Sequence, residues 1–381
     1  MKVLVVAGAR PNFVKVAPVL SALAREGHEG VLVHTGQHYD ASMSDAFFAD
    51  LGLPPPDHHL GVGSASHAVQ TARVMEAFEP VLAEVRPEWV VVVGDVNSTL
   101  ACALVAAKLR PELGCRLAHV EAGLRSGDWR MPEEVNRVLT DRLSDLLLTP
   151  SHDAHAHLAA EGIDPARVVF VGNVMIDSLF AQLPAARTLA VPARLGLERG
   201  RYAVVTLHRP SNVDDPRALA AVLGALGCVA GDLPVVFPIH PRTRARAGEF
   251  GLQGALDALR TVPPLGYREM LSLVEGAAVA LTDSGGVQEE TTALGIPCVT
   301  LREQTERPVT LLQGTNRMAP WPLTSDGVYR AFRGARAQGR RAAGTGVEGW
   351  DGRAGERIAA ALADASAGPL LAAAGAEGCH G

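Results

Sequence analysis

Short apolar runs rich in valine and leucine recur along the whole chain, each followed by a longer amphipathic stretch, and this alternation constrains the fold more than any other feature. The runs are KVLVVA (2–7), GVLVHT (30–35), EWVVVVG (88–94), RLAHV (116–120), DLLLT (145–149) and RVVFV (167–171). They continue as RYAVVTL (201–207), LPVVFPI (233–239), AAVALT (277–282) and PCVTL (297–301). Each is apolar throughout instead of alternating with polar residues, which suits strands buried on both faces of a parallel sheet. The stretches between them predict helices at 12–26, 97–109, 133–144, 214–229, 267–275 and 285–294. Strand–helix alternation implies an α/β fold, and 381 residues at roughly 150 per domain imply two doubly wound units.

The boundary falls best in 183–200, LPAARTLAVPARLGLERG, which a helix at 174–182 precedes and a new strand follows. The expected domains are therefore 1–182 and 183–364, with 365–381 a low-complexity, disordered tail.

Several function classes fall away. A formal net charge of −6 argues against nucleic-acid partners, which favour a basic excess. No run approaches ~18 consecutive apolar residues, so no membrane span is expected. The N-terminal apolar run is too short for a secretory signal. Five cysteines with no CxxC spacing suit a reducing compartment and neither a disulfide framework nor a zinc site. A cytoplasmic protein is the expectation. Of the 35 basic residues only Lys2, Lys15 and Lys108 are lysines, a bias with no functional reading of its own.

Open parallel sheets bind ligands beyond the carboxyl ends of their strands. The polar residues directly after the apolar runs are Arg10, Asp95, Glu121, His208, His240 and the sequence Asp283-Ser284-Gly285-Gly286. In the first turn, AGARPNFVK (7–15), no full GxGxxG is present, so a dinucleotide fingerprint is not supported. Arg10, with Pro11 opening a helix and Lys15 a turn further in, suits an anion or is simply a solvated basic loop. In LTDSGGVQEE (281–290) a strand ends and a helix opens at Val287. Its Ser-Gly-Gly turn either holds a diphosphate against the helix dipole or caps the helix, and Glu290 is placed for ribose hydroxyls. An acidic group gathers from Asp95, Glu121 and GLRSGDWRMPEEVNR, where Glu133 and Arg137 share a helix face. It reads either as an ion-paired helix or as carboxylates converging for acid/base work.

Taken in order, these segments resemble the non-hydrolysing UDP-N-acetylglucosamine 2-epimerases. The matching stretches are GARPNFVKVAP (8–18), HTGQHYD (34–40), VVGDVNSTLA (92–101), HVEAGLRS (119–126), MPEEVNRVLTD (131–141), VGNVMIDSL (171–179), TLHRPSNVD (206–214), LTDSGGVQEE (281–290) and TERP (305–308). The resemblance implies two Rossmann-like domains around a central cleft, as in type B glycosyltransferases. It implies interconversion of UDP-N-acetylglucosamine and UDP-N-acetylmannosamine by anti elimination of UDP, through 2-acetamidoglucal, with no nicotinamide cofactor and no metal. Carried over by motif, Asp95, Glu121 and Glu133 become acid/base residues and His208 assists departure of the diphosphate. Arg10, Ser284, Gly285 and Gly286 bind the diphosphate, Glu290 the ribose, and Lys15 and Arg137 substrate or anion. Family members are commonly dimers, which implies a homodimer acting on a UDP-sugar.

The chain departs from many relatives at Asn12, where they carry glutamate, and at His208-Arg209-Pro210-Ser211-Asn212, where they carry HRREN. FPIHPRTR (237–244) replaces their HxNP, and QHYD (37–40) lacks their second glutamine. Several bacterial members bind an activating second UDP-N-acetylglucosamine at such positions. The alternatives are a 2-epimerase of a modified UDP-HexNAc, such as a diacetamido uronic acid, and a glycosyltransferase on the same architecture. The latter gives no reason for three acids in the N-terminal half.

Overall fold

The computed structural model describes residues 1–36, 51–344 and 346–367. The chain divides into two units, Met1–Ser178 with Glu348 onward, and Leu179–Val347.

The first unit is built on a parallel sheet of β1 (Lys2–Ala7), β2 (Glu29–His34), β3 (His58–His59), β4 (Trp89–Val93), β5 (Arg116–Val120), β6 (Leu146–Thr149) and β7 (Val168–Phe170). Their spatial order is β3-β2-β1-β4-β5-β6-β7. The crossovers carry α1 (Arg10–Arg25), α2 (His67–Val85), α3 (Asn97–Leu113), α4 (Pro132–Leu143), α5 (His152–Ala160) and α6 (Val174–Thr188). Every residue of β4 is buried, because helices cover both faces of the sheet. Leu4, Val6, Val90, Val92 and Leu117 pack there with Val74, Phe78 and Leu82 of α2.

The second unit repeats the scheme with β8 (Ala203–Thr206), β9 (Val235–Pro238), β10 (Arg260–Val262), β11 (Val279–Thr282), β12 (Cys298–Thr300) and β13 (Asn316–Met318). The order is β10-β9-β8-β11-β12-β13, again with all pairs parallel. Around it lie α7 (Pro216–Asp232), α8 (Pro241–Glu249), α9 (Tyr267–Glu275), α10 (Gly285–Ala293) and α11 (Ser325–Gln338). Val205, Phe237, Leu281 and Val299 pack with Leu219, Val222 and Leu226 of α7 and Phe332 of α11.

Both sheets reverse direction once, between β1 and β4 and between β8 and β11. At such a switch point two crossovers leave in opposite directions and open a crevice at the strand ends. Two Rossmann-like units are thus observed, as the strand–helix alternation predicts.

The sequence boundaries need correction in three places. The stretch 183–200 is not a plain linker, since α6 runs through Pro184 to Thr188 and a further turn forms at Val191–Arg194. The second unit closes at Val347 and not at 364, because the last helix, α12 (Ala354–Ser366), returns to the first unit. It packs on α1, where a Cβ at Gly355 would lie 2.7 Å from the carbonyl oxygen of Pro18. The α10 helix opens at Gly285, two residues before Val287. Residues 368–381 of the expected tail lie outside the described residues. By length and composition Val174–Arg194 is long and apolar enough to cross a bilayer (mean hydropathy 1.2), yet half of it is buried within the fold.

Candidate active site

At the switch point of the first sheet, β1 leads into α1 and β4 leads into Gly94-Asp95. Arg10 opens α1, but its side chain lies outside the described residues, as do Gln37, His38, Tyr39 and Asp40 of the second motif. Asn12 is almost wholly buried, and its Oδ1 accepts from the amides of Gly8 (3.1 Å) and Ala9 (3.0 Å). Its Nδ2 donates to the carbonyl of Val93 at 3.1 Å, so the asparagine that departs from the relatives ties the first turn to β4. The two amides it takes are no longer offered to an anion.

Lys15 projects from α1 onto Glu121, which follows β5, and both side chains are buried. The anion that Lys15 faces in the structure is therefore one of the protein's own carboxylates. Gly94 (φ +65°) passes over this pair, and a Cβ there would sit 2.7 Å from Nζ of Lys15. Glu121 itself has φ 73°, a left-handed conformation uncommon for a residue with a side chain.

Asp95 and Arg137 form the second ion pair, Nη1 to Oδ2 at 2.6 Å, with the guanidinium buried and the carboxylate partly exposed. The face-sharing of Glu133 and Arg137 does not become a pair. Arg137 instead turns to Glu134, with Nη2 and Nε at 2.6 and 3.0 Å from Oε2. Glu134 also accepts from the amides of Ser126 and Gly127 at 3.0 and 2.8 Å, which clamps the loop before α4. Burial pushes its carboxyl up, but those amides and Arg137 outweigh that and leave it below the ordinary range. Glu133, one residue earlier, is half-buried and makes no hydrogen bond or ion pair among the described residues. The i,i+4 spacing from Glu133 and the i,i+3 spacing from Glu134 both place carboxylate and guanidinium on one face, so the sequence alone does not choose between them.

In the second sheet the switch point lies between Leu207-His208, after β8, and Asp283-Ser284, after β11. His208 places Nδ1 2.9 Å from Oδ1 of Asp283, which is completely buried. Nδ1 therefore carries the proton toward the carboxylate, and Nε2 is left for another partner. Asp283 accepts further from the amides of His208 and Arg209 and from Nδ2 of Asn212. Burial raises its pKa, but the bonds from His208 and Arg209 bring it below the ordinary range. The sequence alone places Asp283 only in the turn after the strand.

Ser284 stands at the N-cap of α10 with no capping bond from its side chain, and Gly285 and Gly286 supply the first amides, which have no acceptor inside the helix. Arg307, from TERP, runs beside Gly285 and binds Glu289 at 2.9 Å. It is a further cation that the strand-end rule had no means to find. Glu290 is buried, and burial pushes its carboxyl up to about 7, with a hydrogen bond from Tyr267 pulling down and Glu289 pushing up. His240 accepts from the amide of Arg242 at 3.2 Å and so caps α8. Among the described residues no group of three His, Cys, Asp or Glu side chains is arranged to hold a metal ion.

Each unit thus carries a polar group at its own switch point: paired carboxylates in the first, an oriented imidazole and a glycine-rich helix start in the second. Comparison with known proteins bears on both. The family model described as UDP-N-acetylglucosamine 2-epimerase matches residues 21–363. A UDP-N-acetylglucosamine 2-epimerase homolog from Methanococcus maripaludis is 41% identical over 321 residues, covering 83% of this chain and 88% of that protein. The UDP-2,3-diacetamido-2,3-dideoxy-D-glucuronate 2-epimerase of Pseudomonas aeruginosa is 43% identical over 312 residues, covering 80% and 84%. The crystal structure of Methanocaldococcus jannaschii UDP-GlcNAc 2-epimerase in complex with UDP-GlcNAc and UDP matches with a TM-score of 0.85 at 38% identity. It covers 96% of this chain and all of that one.

Proposed function

The chain belongs to the UDP-N-acetylglucosamine 2-epimerase family, and we propose that it interconverts UDP-N-acetylglucosamine and UDP-N-acetylmannosamine. The observation that carries this reading is the set of carboxylates at the end of the first sheet. Asp95 and Glu121 each rest on an internal cation, and Glu133, in the first turn of the helix that carries Arg137, makes no hydrogen bond or ion pair among the described residues. Transfer of a sugar to an acceptor does not call for such a set, whereas moving a proton off and onto C2 does.

In the forward direction the C2–H bond breaks as its proton passes to a carboxylate. The C1–O bond breaks with it, UDP departs with that electron pair, and 2-acetamidoglucal remains. In the return step a β-phosphate oxygen of UDP bonds to C1, and a proton is delivered to the opposite face of C2. Asp95, Glu121 and Glu133 are the proposed acid/base residues. Lys15 and Arg137 serve them as fixed countercharges, so that carboxylates can stand close to one another in a partly dry site.

Departure of UDP places negative charge on the diphosphate, and fixed donors aimed at it lower the barrier. The proposed donors are Nε2 of His208, the amides of Gly285 and Gly286, Ser284 and Arg10. Glu290 is proposed for the ribose, where it accepts hydrogen bonds once ionised.

Proton NMR of the purified protein with UDP-N-acetylglucosamine in D₂O tests the reading. The expected result is deuterium at C2 and the appearance of UDP-N-acetylmannosamine. Sugar transfer to an added acceptor without C2 exchange overturns it. The 43% identity to the Pseudomonas enzyme favours a second reading, action on a UDP-diacetamido uronic acid, and the same assay with that substrate decides between them.

A further inference from the structure

Close to Asp95 and Glu121 in the chain lies a buried histidine–aspartate pair that the chemistry above leaves unused. His119 on β5 and Asp141 on α4 are both completely buried. The imidazole Nδ1 is 2.6 Å from Oδ1 of Asp141, and Nε2 is 2.8 Å from the carbonyl oxygen of Gly94. Both neighbours are acceptors. A neutral ring has one N–H and one lone pair, so it would set a lone pair against one of these oxygens where no water mediates. Only the doubly protonated ring satisfies both.

The other groups around Asp141 fit a carboxylate. Its Oδ2 accepts from the amide of Gly123 at 3.0 Å and pairs with Nη1 of Arg125 at 2.8 Å. Arg125 is in turn held by both oxygens of Glu161, at 2.6 and 2.8 Å. Burial raises the Asp141 carboxyl, but His119 and Arg125 outweigh it and leave it below its ordinary range.

The two ends of this chain of bonds fall at informative places. Gly94 immediately precedes Asp95, and Gly123 stands two residues after Glu121. Gly94, Glu121 and Gly123 all have left-handed backbones, φ +65°, 73° and +79°. The two glycines adopt this region freely, but Glu121 carries a Cβ, and its strained backbone keeps one shape only where its surroundings over-determine it.

We infer that His119 is a positioning residue, present as an imidazolium, that brackets the two turns bearing Asp95 and Glu121 through Gly94 on one side and Asp141 on the other. The kinetic consequence rests on the epimerase reading, whereas the charge state of the ring does not. Two experiments test it. In the ¹⁵N-histidine-labelled wild-type protein at neutral pH, the His119 ring shows one-bond proton couplings at both nitrogens. The spectrum of His119→Gln assigns the signals. A ring with one bare nitrogen overturns the inference.

In the same His119→Gln variant, kcat falls roughly 10- to 100-fold while KM for UDP-N-acetylglucosamine stays within about threefold, because misplaced reacting groups slow chemistry more than they weaken binding. A variant with normal kcat per UDP-binding site, however unstable, overturns it as well. If the variant does not fold, ring protonation in the wild type decides alone. If the wild type does not epimerise, the proposed function fails, and ring protonation still decides the bracket.

Discussion

The imidazole of His208 is aimed by Asp283, whose buried carboxylate lies 2.9 Å from Nδ1 and fixes which nitrogen faces outward. Asp283→Asn keeps an oxygen for the amides of His208 and Arg209 but removes the charge that favours this tautomer. The expected outcome is a fall in kcat of about 100-fold with UDP affinity retained, checked by steady-state kinetics beside calorimetric titration of UDP. The variant also reports on stability. Because the folded pKa of Asp283 is depressed, its contribution is fully present above the ordinary aspartate value of about 3.9 and is lost as pH falls below it. The stability gap between wild type and variant should therefore shrink only in acid, as seen by urea denaturation across pH.

Adjacent glutamates on α4 should behave in opposite ways. Glu134 takes two amides and Arg137, so Glu134→Ala leaves a buried guanidinium without that partner and frees the loop. A loss of about 3 kcal/mol or more is expected in denaturation experiments. Glu133 has no partner among the described residues, and Glu133→Gln should change stability by no more than about 0.5 kcal/mol. Its turnover should nevertheless fall by roughly 100-fold or more in the deuterium-exchange assay. Near-normal turnover would remove Glu133 from the acid/base set.

The contrast shows where sequence reasoning stops. WVVVV and RLAHV are legible as buried strands because β-branched, unbroken apolar runs have few other uses, and the residues that follow them mark the sheet ends. That rule reached Asp95, Glu121 and His208. It could not reach pairings set by three dimensions, since Lys15 meets Glu121 across 106 residues. It does not reach β3 (HH), β10 (RTV) or β13 (NRM), which carry polar residues where the equally short β7 and β12 sit in apolar runs. The return of α12 had no local signal either, because a helix that crosses back to another unit carries the same amphipathic pattern as one that stays.

Glu290 gives a pH prediction of the opposite sign to Asp283. Burial raises its pKa to about 7, so between about 4.5 and that value the folded chain keeps a proton that the unfolded chain releases. Stability should decline as pH rises from about 4.5 to about 7, and then level off. Glu290→Gln removes the decline, so the variant should gain on wild type across that window by up to roughly 3 kcal/mol. Urea midpoints at several pH values check this. If Glu290 also holds the ribose, the stabilised variant binds UDP more weakly, which separates a ligand contact from a mere burial strain.

Asp177 holds the returning helix in place. Its carboxylate accepts the amides of Ala354 at 3.0 Å and Gly355 at 2.7 Å, the first two of α12, which have no acceptor within the helix. At the other end Trp89 Nε1, in the middle strand of the first sheet, donates to Ser366 Oγ at 2.8 Å. Asp177→Ala strands both amides in a buried setting, which should lower stability by about 1–3 kcal/mol. Hydrogen exchange should quicken through 354–366 and along the face of α1 that α12 covers, while the strands of the second sheet keep their protection. Unchanged exchange at Ala354 and Gly355 would mean that the cap does not hold the helix. Equal quickening in both sheets would mean that the two units unfold as one.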